Sequence, residues 1–191
     1  LAQLQTVFSR MEQPLRLRLF LDDRPVSAEL RDYMTKLASL TEKLTVEETA
    51  GTEETPCVRV YRADGSPVGL AFHGVPGGHE FTSFVLGLYN ASGPGQPLAE
   101  EERVRIEKLS KDIHIIVLVS LTCTMCPELV TSAQRVASLN PRVTTDVYDL
   151  NHFPALREKY KVMSVPCFII NDGALHFGKK NVSQLLDLLE A

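Results

Sequence analysis

Apolar residues run along this chain in two rhythms, one helical and one alternating, and the same succession of rhythms occurs twice. Leu1, Leu4, Phe8 and Met11 stand at helical spacing. "LRLRLFL" (15–21) then alternates residue by residue, as a strand with two unlike faces does. Leu30, Met34, Leu37 and Leu40 return to helical spacing and predict a helix of roughly 14 residues. Strands are expected near 44–48 and, after Pro56, at 57–61; an Asp64–Gly65 turn, a further short strand and a helix over 80–90 follow. The second succession begins with Val104, Ile106 and Leu109 and a strand at 113–119. A helix carrying Leu129, Val136 and Leu139 comes next, then strands at 143–149 and 167–171. An Asp172–Gly173 turn, a short strand and a helix over 182–190 close it.

The two successions are copies. Shifting the chain by 99 positions lays "AELRDYMTKLASLTEKLT" (28–45) on "PELVTSAQRVASLNPRVT" (127–144) without a gap. "TPCVRV" (55–60) echoes "VPCFII" (165–170). Each copy reads β-α-β followed by β-β-α, an α/β fold. The Gly-, Pro- and acid-rich "ASGPGQPLAEEE" (91–102) reads as the join, giving copies at 1–92 and 103–191 with a linker at 93–102. Ile113–Val119 is nearly all apolar, as a strand covered on both faces would be. Its counterpart carries Arg16 and Arg18 on one face, which is either solvated or part of a charged seam between the copies.

Composition narrows the function. With 44% hydrophobic and 23% charged residues, the chain is ordinary for a globular protein. A net charge of −4 gives no reason to expect nucleic acid or a membrane surface as partner. No apolar run approaches the ~20 residues of a membrane span, and no secretory signal is visible, so a cytoplasmic location is expected. The Asn90 and Asn181 sequons then carry no weight. Four cysteines (57, 123, 126 and 167) are too few to staple a secreted scaffold of this length, so their use is expected to be chemical.

Cys123 and Cys126 fall between a buried strand and a helix, in "SLTCTMCPELV" (120–130). A thiolate at Cys123 would meet the unpaired N–H groups and positive end of that helix, which lowers a thiol's pKa. Cys126, one turn on, lies on the same side, can close a small disulfide ring and is expected to be the more buried. Pro127 is tolerated in the first turn. Structural zinc is an alternative, but it needs four ligands, and histidines 73, 79, 114, 152 and 176 show no ligand spacing. Two inert buried cysteines are the other alternative.

A Cys-x-x-Cys at this junction followed by Val165–Pro166 resembles the thioredoxin fold. The resemblance implies a cis peptide at Val165–Pro166, with a counterpart at Thr55–Pro56. It also implies a partner-docking surface formed by Thr124, Met125, Val165 and Pro166, where exposed backbone pairs with an extended segment. A copy without a dithiol ahead of a copy with one, together with "GGHEFTSFVLGL" (77–88), "SLTCTMCPELV" and "ASLNPRV" (137–143), resembles the N-terminal domain of the flavoprotein subunit of alkyl hydroperoxide reductase. That implies two tandem thioredoxin-like folds packed as one unit. It further implies a relay from a flavin-bearing, thioredoxin-reductase-like module, in cis or in trans, to a two-cysteine peroxiredoxin. Cys123 would attack the peroxiredoxin disulfide and Cys126 would resolve the mixed disulfide. FAD and NAD(P)H are expected only on that other module, and no cofactor or metal on this chain: the glycines of "GPGQP" and "GVPGGHE" form no dinucleotide fingerprint.

The resemblance has departures. Thioredoxins usually carry a buried acid six residues ahead of the first cysteine, and Val117 stands there. Glu80 is the candidate to exchange the Cys126 proton, with the start of the 80–90 helix as its other explanation. His79 is expected to cap that helix or face solvent. Arg24 and Ser27 replace the two cysteines in the first copy, which is expected to buttress the second and lend it Glu80. Cys167, directly after the proline, is either a small core residue or an auxiliary thiol, and Cys57 is expected to be inert. Two other functions compete with the relay: a standalone glutaredoxin- or thioredoxin-like disulfide oxidoreductase of broad range, and a noncatalytic docking module.

Overall fold

The computed structural model describes residues 2–51 and 53–191; Leu1, assigned above to the first helix, lies outside them. The first copy comprises α1 (Ala2–Arg10), β1 (Leu15–Leu21), α2 (Pro25–Ala38), β2 (Leu44–Ala50), β3 (Cys57–Arg62), β4 (Pro67–His73) and α3 (Glu80–Ser92). The second comprises α4 (Glu100–Glu107), β5 (Ile113–Val119), α5 (Cys126–Leu139), β6 (Val143–Asp149), α6 (Pro154–Lys159), β7 (Cys167–Ile170), β8 (Leu175–Phe177) and α7 (Val182–Leu189). The succession is the expected one, with α6 added. α4 starts at Glu100, inside the segment expected as linker, because three glutamates complement the positive end of its first turn.

All eight strands form one sheet, ordered β2-β1-β3-β4-β6-β5-β7-β8. Within each copy the first two strands are parallel and the later two antiparallel, the arrangement of two tandem thioredoxin-like folds. The copies join where β4 pairs in parallel with β6, Leu70 opposite Thr145 through His73 opposite Tyr148. This join explains why equivalent strands differ. β2 is an edge strand, solvated along most of "LTVEETA", whereas its counterpart β6 is interior and buried almost throughout. The other edge, β8, is only three residues long; short or charged edges resist pairing with foreign strands.

One sheet face carries nearly all the helices. Leu15, Leu17 and Leu19, Val58 and Val60, Ile113, Ile115 and Val117, and Phe168 share one core with Phe8, Met34, Phe84, Leu129 and Leu186 from the helices. α6 covers part of the opposite face, over Leu118, Tyr148, Cys167 and Ile169. Arg18 lies on that opposite face, a third exposed, bonded to Glu47 at 3.1 Å and stacked 4.1 Å from the Tyr61 ring centroid. The solvated-face reading of Arg18 therefore holds. A charged seam also exists, built from other residues: Asp146 of β6 accepts from Arg59 (3.1 Å), His73 (2.7 Å) and His114 (2.8 Å).

Gly69 opens the joint between the copies. Its φ is +87°, and a Cβ there would stand 2.7 Å from the Val143 carbonyl oxygen. Gly69→Val is expected to cost about 2 kcal/mol or more from backbone strain and displacement of β6, measured as a lowered thermal midpoint.

Candidate functional site

β5 is apolar except for His114 and ends at Val119, which places the following turn at the end of the sheet. The turn is held by the Cys123 amide donating to the Ser120 carbonyl at 3.0 Å. Cys126 opens α5 and is fully buried, while Cys123, three residues earlier, stays half-buried. A disulfide joins them, with Cα atoms 5.6 Å apart. No side chain caps α5, so its first-turn N–H groups stay open to charge on a neighbouring sulfur. Pro127 sits within that first turn.

Val165–Pro166 is cis, as are Thr55–Pro56 and, unanticipated, Gly93–Pro94. The Val165 carbonyl oxygen lies 3.8 Å from the Cys123 sulfur. Thr124 is exposed, Met125 is 51% exposed and Val165 half-buried, whereas Pro166 is buried. Met163 is 86% exposed, three residues ahead of the cis-proline. The chain therefore presents one reachable sulfur at an apolar rim.

Glu80 is the first residue of α3 and is fully buried, so its position at a helix start and its burial coexist. Loop 74–79 fixes it against the dithiol turn: the His79 amide donates to the Leu121 carbonyl at 2.9 Å. A Cβ on Gly78 (φ +54°) would lie 2.7 Å from that same oxygen. Ser83 donates to one carboxylate oxygen of Glu80, and the other has no partner. Burial, with a smaller contribution from the Asp149 charge, drives the Glu80 carboxyl up to about 7 against the opposing Ser83 bond. His79 faces solvent at the N-cap position without a side-chain cap bond.

The first copy's counterpart site is closed. Asp22 accepts from the Arg24 amide and guanidinium, from Ser27 at 2.7 Å and from Thr55 at 2.9 Å. The Arg24 guanidinium, first, and Ser27 hold its carboxyl well below the ordinary range. Arg24 Nη2 also donates to the Thr55 carbonyl at 2.6 Å. That carbonyl precedes the cis-proline and corresponds to Val165 in the active copy, so a partner strand would have to displace the guanidinium to pair there.

Of the two readings of Cys167, small core residue or auxiliary thiol, its position favours the first. It lies opposite Leu118 and belongs to the small cluster under α6, on the sheet face away from Cys126. It is fully buried, and burial pushes its thiol up to about 11, which disfavours a thiolate there. Cys57 is likewise buried, 3.8 Å from His73, with its thiol raised by burial.

Sequence reasoning missed Ser83, the Leu121 carbonyl and Asp149. Ser83 is three residues after Glu80 on a helix, a spacing that predicts contact; the other two depend on the tertiary fold. Among the described residues no group of three or more His, Cys, Asp or Glu is arranged to hold a metal. No helix among them is long and apolar enough to cross a membrane. Gly78, in the loop before α3, is pressed against Leu121, and Gly95, after α3, lies against the Arg135 guanidinium.

The thioredoxin domain family matches residues 111–190. The AhpF component of alkyl hydroperoxide reductase from Pseudomonas putida is 31% identical over 99% of this chain and 36% of its own length. The chain thus spans about a third of such relatives. The solved NTD_N/C domain of the alkylhydroperoxide reductase AhpF from Enterococcus faecalis (V583) superposes with a TM-score of 0.94 at 36% identity, covering 98% of this chain and 96% of that one. A protein disulfide oxidoreductase from Aeropyrum pernix K1 shares the fold at 20% identity and a TM-score of 0.85, over 99% and 90% of the two chains.

Proposed function

We propose, from the premise that this chain belongs to the AhpF family of alkyl hydroperoxide reductase flavoproteins, that it carries electrons from a flavoprotein disulfide reductase module to a two-cysteine peroxiredoxin. It is a thiol–disulfide oxidoreductase domain. FAD and NAD(P)H belong to the reductase module, in cis or in trans. Residues 1–92 buttress the active half, 103–191, and supply Glu80. The observation that carries this reading is a single half-exposed sulfur, Cys123, paired with a fully buried one in a protein whose first copy of the site is sealed. The sealed copy also weighs against a broad-range oxidoreductase, which would profit from a dithiol in each half.

The exchange balances as a two-electron transfer. The Cys123 thiolate attacks one sulfur of the partner disulfide, and the partner's other sulfur leaves as a thiolate and takes up a proton. Cys126 gives its proton to the Glu80 carboxylate and attacks the Cys123 sulfur. The Cys123–Cys126 disulfide closes, and the partner's second sulfur leaves and is protonated. A dithiol on the reductase module then reverses the sequence on this chain. A carboxyl near 7 is half-ionised at neutral pH and so can take or return that proton. Thr124, Met125, Val165 and Pro166 receive the partner's extended segment.

Mixing the reduced protein with an oxidised two-cysteine peroxiredoxin and following thiol transfer tests the reading. Glu80→Gln is expected to slow resolution about a hundredfold and to erase the inflection near neutral pH. It should still fold. The folded-state carboxyl is raised above its ordinary 4.5, so ionising it between pH 4.5 and about 7 costs wild-type stability that glutamine does not lose. Equal rates for both proteins between about pH 6 and 8 would remove Glu80 from the mechanism, and no transfer by wild type would remove the peroxiredoxin.

A further inference from the structure

Two buried carboxylates, one from each copy, converge near the dithiol turn. Asp149 ends β6 in register with Val119, the last residue of β5 before that turn, and is only 1% exposed. Strand alternation puts its side chain on the helix-covered face with Val117 and Val147, where α3 and α5 pack. Val117 occupies the site of the acid that thioredoxins carry, so this face has lost one buried acid and holds another two residues further along the sheet. The loop leading to Glu80 lies against it: a Cβ on Gly74 would come within 3.1 Å of the Asp149 Cβ. One Asp149 oxygen accepts the Asn151 amide at 3.0 Å, and the other lies 4.0 Å from Nε2 of the partly exposed His152. The second oxygen of Glu80 has no hydrogen-bond partner among the described residues.

We propose that Asp149 is a positioning residue for the dithiol step: its buried carboxylate sets the proton occupancy of Glu80. The groups that touch the pair are Ser83 on α3 and Asn151 and His152 after β6. Tyr33 borders the loop at Gly77, and His79 points to solvent. Burial raises the Asp149 carboxyl too, but the Asn151 amide and His152 oppose this. The Asp149 charge keeps the proton on Glu80 to higher pH. With Asp149 neutral, Glu80 would ionise at lower pH and become a weaker base for Cys126. The inference rests on Glu80 being the proton exchanger of the proposed relay.

The test combines Asp149→Asn, Glu80→Gln and the double variant. Asparagine keeps the acceptor for the Asn151 amide while removing the charge. Carbon-13 NMR titration of the Glu80 carboxyl, assigned with Glu80→Gln, reads proton occupancy in the isolated protein. The pH profile of thiol transfer reads its consequence. Asp149→Asn is expected to move both midpoints down by about one unit, and to leave the profile of the Glu80→Gln background unmoved. An unchanged Glu80 midpoint overturns the inference, as does a profile shift of the same size in the Glu80→Gln background. If the carboxyl midpoint moves but no transfer to peroxiredoxin occurs with any variant, the Asp149–Glu80 coupling stands and the partner assignment falls.

Discussion

Cys123→Ser is expected to abolish electron transfer to the partner disulfide, while Cys126→Ser leaves the first attack intact and stalls as a stable mixed disulfide. The asymmetry follows from position. Cys123 precedes α5 beside the Val165 carbonyl and is the reachable sulfur, whereas Cys126 is fully buried in the core under the helix. The uncapped first turn of α5 favours sulfur charge at the exposed end of the pair and does nothing for a second nucleophile approaching from solvent. Both variants should remain folded, because closing so short a loop contributes only about 2 kcal/mol to stability. Non-reducing gels of the Cys126→Ser protein with a peroxiredoxin would show a covalent complex dissolved by dithiothreitol. The Cys123→Ser protein would show none. If Cys123→Ser forms the complex as readily, Cys126 is the attacking thiol and the proposed order of steps is reversed. A noncatalytic docking module predicts a different result: binding retained by both variants and no covalent complex from either.

Much of this was legible from periodicity. The spacing of Leu30, Met34, Leu37 and Leu40 set α2, and its match at Leu129, Val136 and Leu139 set α5. The dithiol, both anticipated cis-prolines and the buried Glu80 followed from local pattern together with the family resemblance. Other features depend on which strand lies beside which. "VTTDVYD" reads locally as a half-polar strand, yet Asp146 and Asp149 are both buried, since β6 is flanked by β5 and by β4 from the other copy. No spacing within β6 announces a partner strand some seventy residues upstream. α6 was missed because six residues with a lone aliphatic residue, Leu156, beyond its opening Pro-Ala carry no helical rhythm. Two points were open to a closer local reading. Alternation along β7 sends Phe168 toward the dithiol face and Cys167 away from it. Three acids before an apolar-spaced segment are a helix-start signal as well as a linker composition.

Asp146→Ala is expected to cost about 3 kcal/mol or more, a large share of the roughly 5–15 kcal/mol that holds a domain together. One carboxylate serves three donors: Arg59 and His73 from the first copy and His114 from its own. Removing it leaves Arg59, whose Nε already lacks a partner, with only the half-exposed Glu53 carboxylate at 3.4 Å, and a part-buried charge that loses its closer partner costs more than the pair contributed. Asp146→Asn should cost less, because it keeps an acceptor. Among the described residues β4–β6 is the one strand pairing that crosses between the copies, so the loss should also uncouple them. Circular dichroism and a probe in one half would then report separate denaturant transitions where wild type shows one. The pH response has two limbs. His114 donates to Asp146, and that bond raises its pKa, so its contribution is complete below an unfolded value of about 6.5 and fades as pH rises through the folded one. His114 is half exposed, so this limb is shallow. The Asp146 carboxyl is depressed by His114, His73 and Arg59 against its burial. Its contribution is complete above about 3.9 and is lost as pH falls through the lower folded value. The seam is thus firmest between about pH 4 and 6.5, and Asp146→Ala should flatten both limbs. Coincident transitions at wild-type midpoints in the alanine variant would show that helix packing, chiefly α3 on α5, holds the copies together without this carboxylate.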